Sequence, residues 1–249
     1  MIKEIAEFVY KIRGPLIILI LLWVIKGVDQ FFGLGLQVLG IYPREWSGLP
    51  GIFTAPFIHG SWGHLASNSL PVLALTTIMV LFYRKVAFQS IVTIMLGTGM
   101  MVWLFGRISY HIGASGIVYG LIAFIFWTGV FKKNAKSVVL ALIVLTLYSG
   151  SVETMFPNVE KNISWESHLF GAIVGIITAF LFKNVIEEDE QYYHESPWKA
   201  DDTTKQYFLP RDVFEKTKLQ RYYEYLEEER RKTESWTITG QEKDNYYIQ

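Results

Sequence analysis

The run Gly113-Ala114-Ser115-Gly116-Ile117-Val118-Tyr119-Gly120 opens a strongly apolar segment that continues to Phe131. Polar groups at membrane depth are costly, so a serine at the start of such a segment is a functional hypothesis. A serine in a glycine-rich helix start is also commonly an N-cap or a packing residue. The choice between these interpretations of Ser115 depends on which other polar groups reach the same depth.

The composition is that of a membrane protein followed by an aqueous tail. The 249 residues are 51% hydrophobic with a mean hydropathy of +0.26, which is too apolar for an ordinary soluble domain. The formal net charge of +0 combines two unequal regions: 13 Lys and Arg against 7 Asp and Glu up to residue 183, and 10 against 16 beyond it. We therefore predict a membrane domain over residues 1–183 and an acidic cytoplasmic tail over 184–249. Residues 211–232 of the tail could form one charged helix, and the simpler alternatives are a solvated helix or a partly disordered tail.

Six segments are apolar enough to be membrane spans, since a span needs roughly 20 such residues and somewhat fewer when the flanks snorkel. Lys26 in the first is expected to reach toward the nearer headgroups. The predicted spans are 15–28, 65–82, 86–105, 115–131, 137–148 and 168–182.

Loop charges predict the orientation, because Lys and Arg concentrate on the cytoplasmic side. The N-terminal flank and the loops at 84–85 and 132–136 are basic, so both termini are expected in the cytoplasm. We expect a multi-pass protein of a bacterial inner membrane. The connection 29–63 is rich in Gly, Pro and aromatic residues, which predicts a structured loop lying partly in the membrane interface.

Under this orientation the second, fourth and sixth spans all begin on the non-cytoplasmic side. His64, Ser115 and His168 each lie at one of these three starts, and are therefore expected at one shallow depth. Asn68 and Tyr119 follow His64 and Ser115 by four residues, so each pair shares a helix face.

Small residues indicate which helices pack together. Gly116 and Gly120 on the fourth span, and Gly171 and Gly175 on the sixth, form small-xxx-small patterns that let two backbones approach closely. Such packing would bring His168 within reach of Ser115.

The polar residues at these helix starts are sufficient for an acyl-transfer mechanism. His168 is a suitable general base for the Ser115 hydroxyl, and the helix start offers unpaired N–H groups for an oxyanion, with His64 and Asn68 as further donors. No Asp occurs in a predicted span, so we infer a Ser–His dyad, and Tyr119 could hold the imidazole by ring stacking.

Other polar residues have simpler interpretations. His59 and Glu166 are expected to have a structural role or to make loop hydrogen bonds. With Cys 0 and no H-E-x-x-H, neither a thiolate nor a zinc site is predicted, and no cofactor is expected. The balanced charge gives no reason to expect nucleic acid as a partner.

These motifs resemble the rhomboid family of intramembrane serine proteases over roughly residues 49–182. Gly113-Ala114-Ser115-Gly116 is similar to its G-x-S-x motif, His168 with Gly171 and Gly175 to its H-x-x-G-x-x-x-G, and His64 with Asn68 to its H-x-x-x-N. The chain departs from the family pattern at Pro50-Gly51, where many members have Trp-Arg, and at Ser167, where alanine is usual.

The resemblance implies an all-α membrane protein, a six-helix rhomboid-like bundle with a membrane-embedded first loop. It implies Ser115 as nucleophile, His168 as base, and the Ser115 N–H, His64 and Asn68 as oxyanion hole. It also implies transmembrane protein substrates, cut near a membrane surface after a small residue.

Two other functions fit parts of the pattern. A catalytically silent rhomboid-like binder of membrane proteins would share the fold, although such members lack the serine or the histidine. A transporter would place polar residues near the middle of several spans, whereas here they cluster at one end. The partner of the tail is not indicated by the sequence.

Overall fold

The computed structural model describes residues 2–157, 164–190 and 216–244, with side chains over 4–157, 164–190 and 216–232. Its contacts divide the chain into two compact units, Met1–His194 and Glu195–Gln249. The described part is helical, with a single isolated bridge between Ile41 and His111. The predicted all-α fold is confirmed.

Six helices of the first unit are long and apolar enough to cross a membrane. They are α2 (Arg13–Phe32), α4 (Trp62–Phe82), α5 (Ala87–Phe105), α6 (Ser115–Lys132), α7 (Ala135–Tyr148, continued by a 3-10 helix over Ser149–Met155) and α8 (Trp165–Phe182). Two shorter α-helices among the described residues of this unit are α1 (Ile2–Lys11) and α3 (Gly51–Thr54). The number and order of the predicted spans agree with the structure.

The first span is longer than predicted, and its lysine has a different environment. The helix runs through Asp29, which lies 3.6 Å from the Lys26 ammonium. Lys26 is buried and its ammonium donates to the Gly60 carbonyl at 3.4 Å, so it faces the protein rather than the headgroups. Asp29 does not line the cavity described below.

The connection between α2 and α4 is structured, as its composition predicts. It contains 3-10 helices at Leu36–Leu39, Trp46–Gly48 and Ala55–Phe57, with α3 between the last two. Ile52 is buried in contact with Gly99 of α5. A Cβ on Gly51 would collide with the Gly40 backbone, so this position of the Pro50-Gly51 dipeptide requires glycine.

Helix α6 is the centre of the bundle. Over half of its apolar window is buried, 56% against at most 39% for the other five spans, and it packs against α4, α5, α7 and α8. The residue that begins α6 is Ser115, so the stretch that marks the site also begins the most enclosed helix.

The first acidic residues after α8 belong to the membrane unit rather than to the tail. Glu190 lies 2.8 Å from the Lys132 ammonium and 3.1 Å from that of Lys136, and the Glu187 carboxylate accepts from the Lys85 N–H at 3.0 Å. Residues 184–190 therefore bind the basic loops of the first unit. The division between the two units, after His194, lies later in the chain than the boundary predicted after residue 183.

The second unit contains a helix over Lys218–Asp244. It begins later and ends later than the predicted helix near 211–232, of which residues 211–215 lie outside the described residues. Its described side chains form ion pairs along one helix, such as Lys232 with Glu228 at 3.2 Å.

Candidate active site

A cavity of about 900 Å³ lies where α4, α6 and α8 begin. Polar side chains from all three helices line it. They include His64 and Asn68 of α4, Ser115 and Tyr119 of α6, and His168 of α8. The structure thus brings together the polar residues that the sequence selects, although they are distant along the chain.

The start of α6 is held against α4 by a glycine. Gly113 has a φ of 107°, which favours glycine, and a Cβ there would lie 2.7 Å from Cε1 of the His64 ring. The Gly113 N–H donates to the Ala55 carbonyl at 2.8 Å, and Ser115 follows as the first helical residue. The first N–H groups of a helix have no intrahelical acceptor, so this turn presents donors next to the His64 ring.

Helices α6 and α8 meet through their glycines. A Cβ on Gly171 would collide with the Gly116 carbonyl, and a Cβ on Gly175 would collide with the Gly120 carbonyl. The backbones of the two helices are therefore in direct contact over two successive turns. Their starts carry Ser115 and His168.

The His168 ring is fixed on two sides. It stacks on Tyr119 with the ring centroids 4.2 Å apart and the planes inclined by 13°. Its Nδ1 lies 3.0 Å from the Thr154 carbonyl oxygen and 3.1 Å from the Thr154 hydroxyl. His168 is only 7% exposed, so these contacts rather than water surround most of the ring.

The amide of Asn68 is oriented by its own helix. Its Nδ2 donates to the His64 carbonyl at 2.8 Å, which occupies one of the two amide hydrogens. The Asn68 side chain is buried and also lines the cavity. The second amide hydrogen is therefore the one that can donate to a group bound in the cavity.

His59 and Glu166 make different structural contacts. Glu166 is buried and makes the expected structural contacts, accepting from the Arg107 N–H at 3.4 Å and pairing with its guanidinium at 3.5 Å. His59 is also buried, and its ring meets that of His64 edge to face, with centroids 5.1 Å apart. This packing contact is structural, which is one of the two roles expected for His59.

Sequence reasoning missed two groups beside the cavity. Thr154 lies in the 3-10 helix between α7 and α8, a segment without a distinguishing pattern. His111 is buried and bridges the Ser164 hydroxyl at 2.6 Å and the Arg107 carbonyl at 2.9 Å. Ser164 also contacts the Ser167 hydroxyl at 2.7 Å, which gives the unusual serine before His168 a structural partner.

No group of three or more His, Asp or Glu side chains among the described residues is arranged to hold a metal ion. The groups considered below for chemistry at the cavity are the Ser115 hydroxyl, the imidazoles of His64 and His168, the Asn68 amide and the N-terminus of α6.

Comparison with known proteins agrees with the geometry. The profile of the Rhomboid domain matches residues 45–185, more than half of the chain and all of the cavity residues named above. An uncharacterized protein of Mycobacterium tuberculosis is 36% identical over 171 residues, covering 65% of this chain and 70% of that protein. A Mycobacterium leprae relative is 30% identical over 169 residues, 65% of this chain and 67% of its own. YdcA of Bacillus subtilis, named provisionally as a rhomboid protease, is 25% identical over 160 residues, 62% of this chain and 75% of that protein.

Proposed function

The chain belongs to the rhomboid family, and from this premise we propose that it is an intramembrane serine protease. It would hydrolyse peptide bonds in or near the transmembrane segments of other membrane proteins, using Ser115 as nucleophile and His168 as general base. The observation that carries the proposal is that one cavity is lined by both residues and by two further polar groups, His64 and Asn68.

The first half of the reaction transfers an acyl group to the enzyme. Nε2 of His168 takes the proton from Ser115 Oγ as Oγ attacks the carbonyl carbon of the substrate. The carbonyl oxygen then carries the negative charge, and the donors available to it are the Ser115 N–H, the His64 ring and the free hydrogen of Asn68. When the peptide C–N bond breaks, His168 returns the proton to the leaving amine.

The second half releases the product. Water attacks the acyl carbon while His168 accepts its proton, and the Ser115 oxygen leaves with that proton restored. Water must reach the cavity from the membrane surface, and a site at the starts of three helices is shallow enough for this. Substrates are then expected to be helices that unwind near that surface after a small residue.

Cleavage of a model transmembrane substrate by the purified protein tests this function. The wild type is expected to cleave, and Ser115→Ala is expected to lose essentially all turnover because no nucleophile remains. Cleavage by Ser115→Ala at the wild-type rate would refute the mechanism.

A fluorophosphonate probe separates the protease from a catalytically silent binder of membrane proteins. The protease forms an adduct on Ser115, and the binder forms none. Because both members of the dyad are present and line one cavity, the adduct is the expected outcome.

The protein is a multi-pass membrane protein, and we propose that both termini lie in the cytoplasm of a bacterial cell, with the cavity at the opposite surface of the inner membrane. The sequence contains no cysteine, so single Lys133→Cys and Gly150→Cys variants report sidedness without a background. An impermeant maleimide added to intact cells should label Gly150→Cys only. Labelling of Lys133→Cys alone would show that the orientation is the opposite of the one proposed.

A further inference from the structure

The 3-10 helix that continues α7 (Ser149–Met155) supplies the contacts to Nδ1 of His168. Thr154 presents both its carbonyl oxygen, at 3.0 Å, and its hydroxyl, at 3.1 Å, to Nδ1 of the ring. A neutral imidazole carries one proton, on either nitrogen, and only the other nitrogen can act as a base.

The carbonyl determines which nitrogen carries the proton. A carbonyl oxygen only accepts hydrogen bonds, so at this distance Nδ1 must be the donor. Nε2, on the opposite side of the ring, then keeps its lone pair. This is the tautomer that the base in acyl transfer requires.

The Thr154 hydroxyl also contacts Tyr119, a second residue of the site. It donates to the Ser151 carbonyl at 2.8 Å, and the Tyr119 hydroxyl contacts both this carbonyl, at 2.8 Å, and the Thr154 hydroxyl. Tyr119 therefore fixes His168 by stacking on its face and fixes Thr154 through its hydroxyl. One residue of α6 orients both the ring and the group that binds its Nδ1.

We propose that Thr154 is the positioning residue for His168, performing with a neutral carbonyl and hydroxyl the task that a carboxylate performs in Ser-His-Asp triads. It selects the Nδ1–H tautomer, fixes the ring plane, and stabilises the imidazolium when Nε2 takes up the Ser115 proton. The proposal rests on the proposed protease function. It accounts for a buried base whose Nδ1 has no carboxylate partner among the described residues.

The test compares the full-length protein with three single variants on a transmembrane model substrate. Thr154→Val keeps the side-chain shape and the backbone carbonyl but removes the hydroxyl, and Thr154→Ser keeps the hydroxyl. Val152→Ala is the control, because Val152 is an exposed apolar residue in the same 3-10 helix. The values of kcat and KM and the unfolding temperature are measured for each.

One lost hydrogen bond to a group that becomes charged predicts that Thr154→Val lowers kcat about 10-fold with KM unchanged. Thr154→Ser should restore most of this loss, and Val152→Ala should match the wild type. An active wild type with an undiminished kcat in Thr154→Val, or a failure of Thr154→Ser to rescue, overturns the positioning role of the Thr154 hydroxyl. The role of the Thr154 carbonyl is tested by the tautomer of the His168 ring.

Nitrogen-15 NMR of the histidine-labelled wild type, assigned by comparison with His168→Ala, tests the tautomer without relying on a variant of Thr154. The Nδ1 of His168 should carry the proton, and a proton on Nε2 overturns the proposal. A wild type without Ser115-dependent cleavage overturns the proposed function and, with it, any catalytic role for Thr154. A failure of the positioning role can therefore be distinguished from a failure of the proposed protease function.

Discussion

Replacing Gly171 with alanine tests whether the close contact of α6 and α8 determines activity. Gly171 lies one turn after His168, and its partner Gly116 is next to Ser115. A change in the spacing at this contact therefore acts directly on the two residues of the proposed dyad. Neither glycine has a side chain that could take part in the chemistry.

The structure gives the size of the effect. An alanine methyl at Gly171 would overlap the Gly116 carbonyl oxygen and lie 3.1 Å from its carbon and 3.3 Å from its Cα. All these atoms belong to the backbone, so the helices must separate by roughly 1 Å before ordinary contact distances are restored. Overpacking of this kind costs about 1–3 kcal/mol of stability, and a misplacement of about 1 Å lowers catalytic rates about 100-fold.

Gly27→Ala is the matched control, because Gly27 also lies inside a membrane-spanning helix, but a methyl group added there would meet no atom of a neighbouring element within 4 Å. The unfolding transition and the rate of substrate cleavage are measured for both variants. Gly27→Ala should keep wild-type activity, whereas Gly171→Ala should lose about 100-fold in rate and unfold more readily. Wild-type cleavage by Gly171→Ala would refute the link between helix spacing and activity.

Three further outcomes are expected. Burial opposes ionisation of Glu190, but its bonds to Lys132 and neighbouring groups lower its pKa to about 2. Glu190→Gln should therefore cost about 1–3 kcal/mol of unfolding free energy at pH 7, a difference that disappears as the pH falls toward 2. Burial and the adjacent His64 ring lower the pKa of His59 to about 4, so folding should weaken as the pH falls from 6.5 to 4, and this weakening should be smaller in His59→Gln than in the wild type. Asn68→Ala should lower kcat about 100-fold, the usual effect of removing an oxyanion donor, and a loss below 3-fold would exclude Asn68 from that role.

The sequence predicts the bundle well because long apolar runs have few alternatives in a bilayer. The small-xxx-small glycines predict which helices touch, and Gly171 against Gly116 is the contact that results. The starts of α4, α6 and α8 bring His64, Ser115 and His168 together because helices that begin on one side share a depth.

Contacts made by irregular segments are not predicted in the same way. Thr154 reaches His168 from a 3-10 helix whose sequence has no periodic signal, and the direction of that segment depends on where α7 ends. Lys26 illustrates the same point: its sequence position indicates the headgroup region, but a loop carbonyl at Gly60 is available inside the protein. Tertiary contacts of this kind follow from packing and not from local pattern.

The rate at which a fluorophosphonate modifies Ser115, compared between the wild type and His168→Ala, tests the proposed dyad most directly. If His168 activates the Ser115 hydroxyl, the adduct forms on Ser115 in the wild type and its rate falls about 100-fold or more in His168→Ala. Equal rates in the two proteins, or an adduct at another residue, would contradict the dyad.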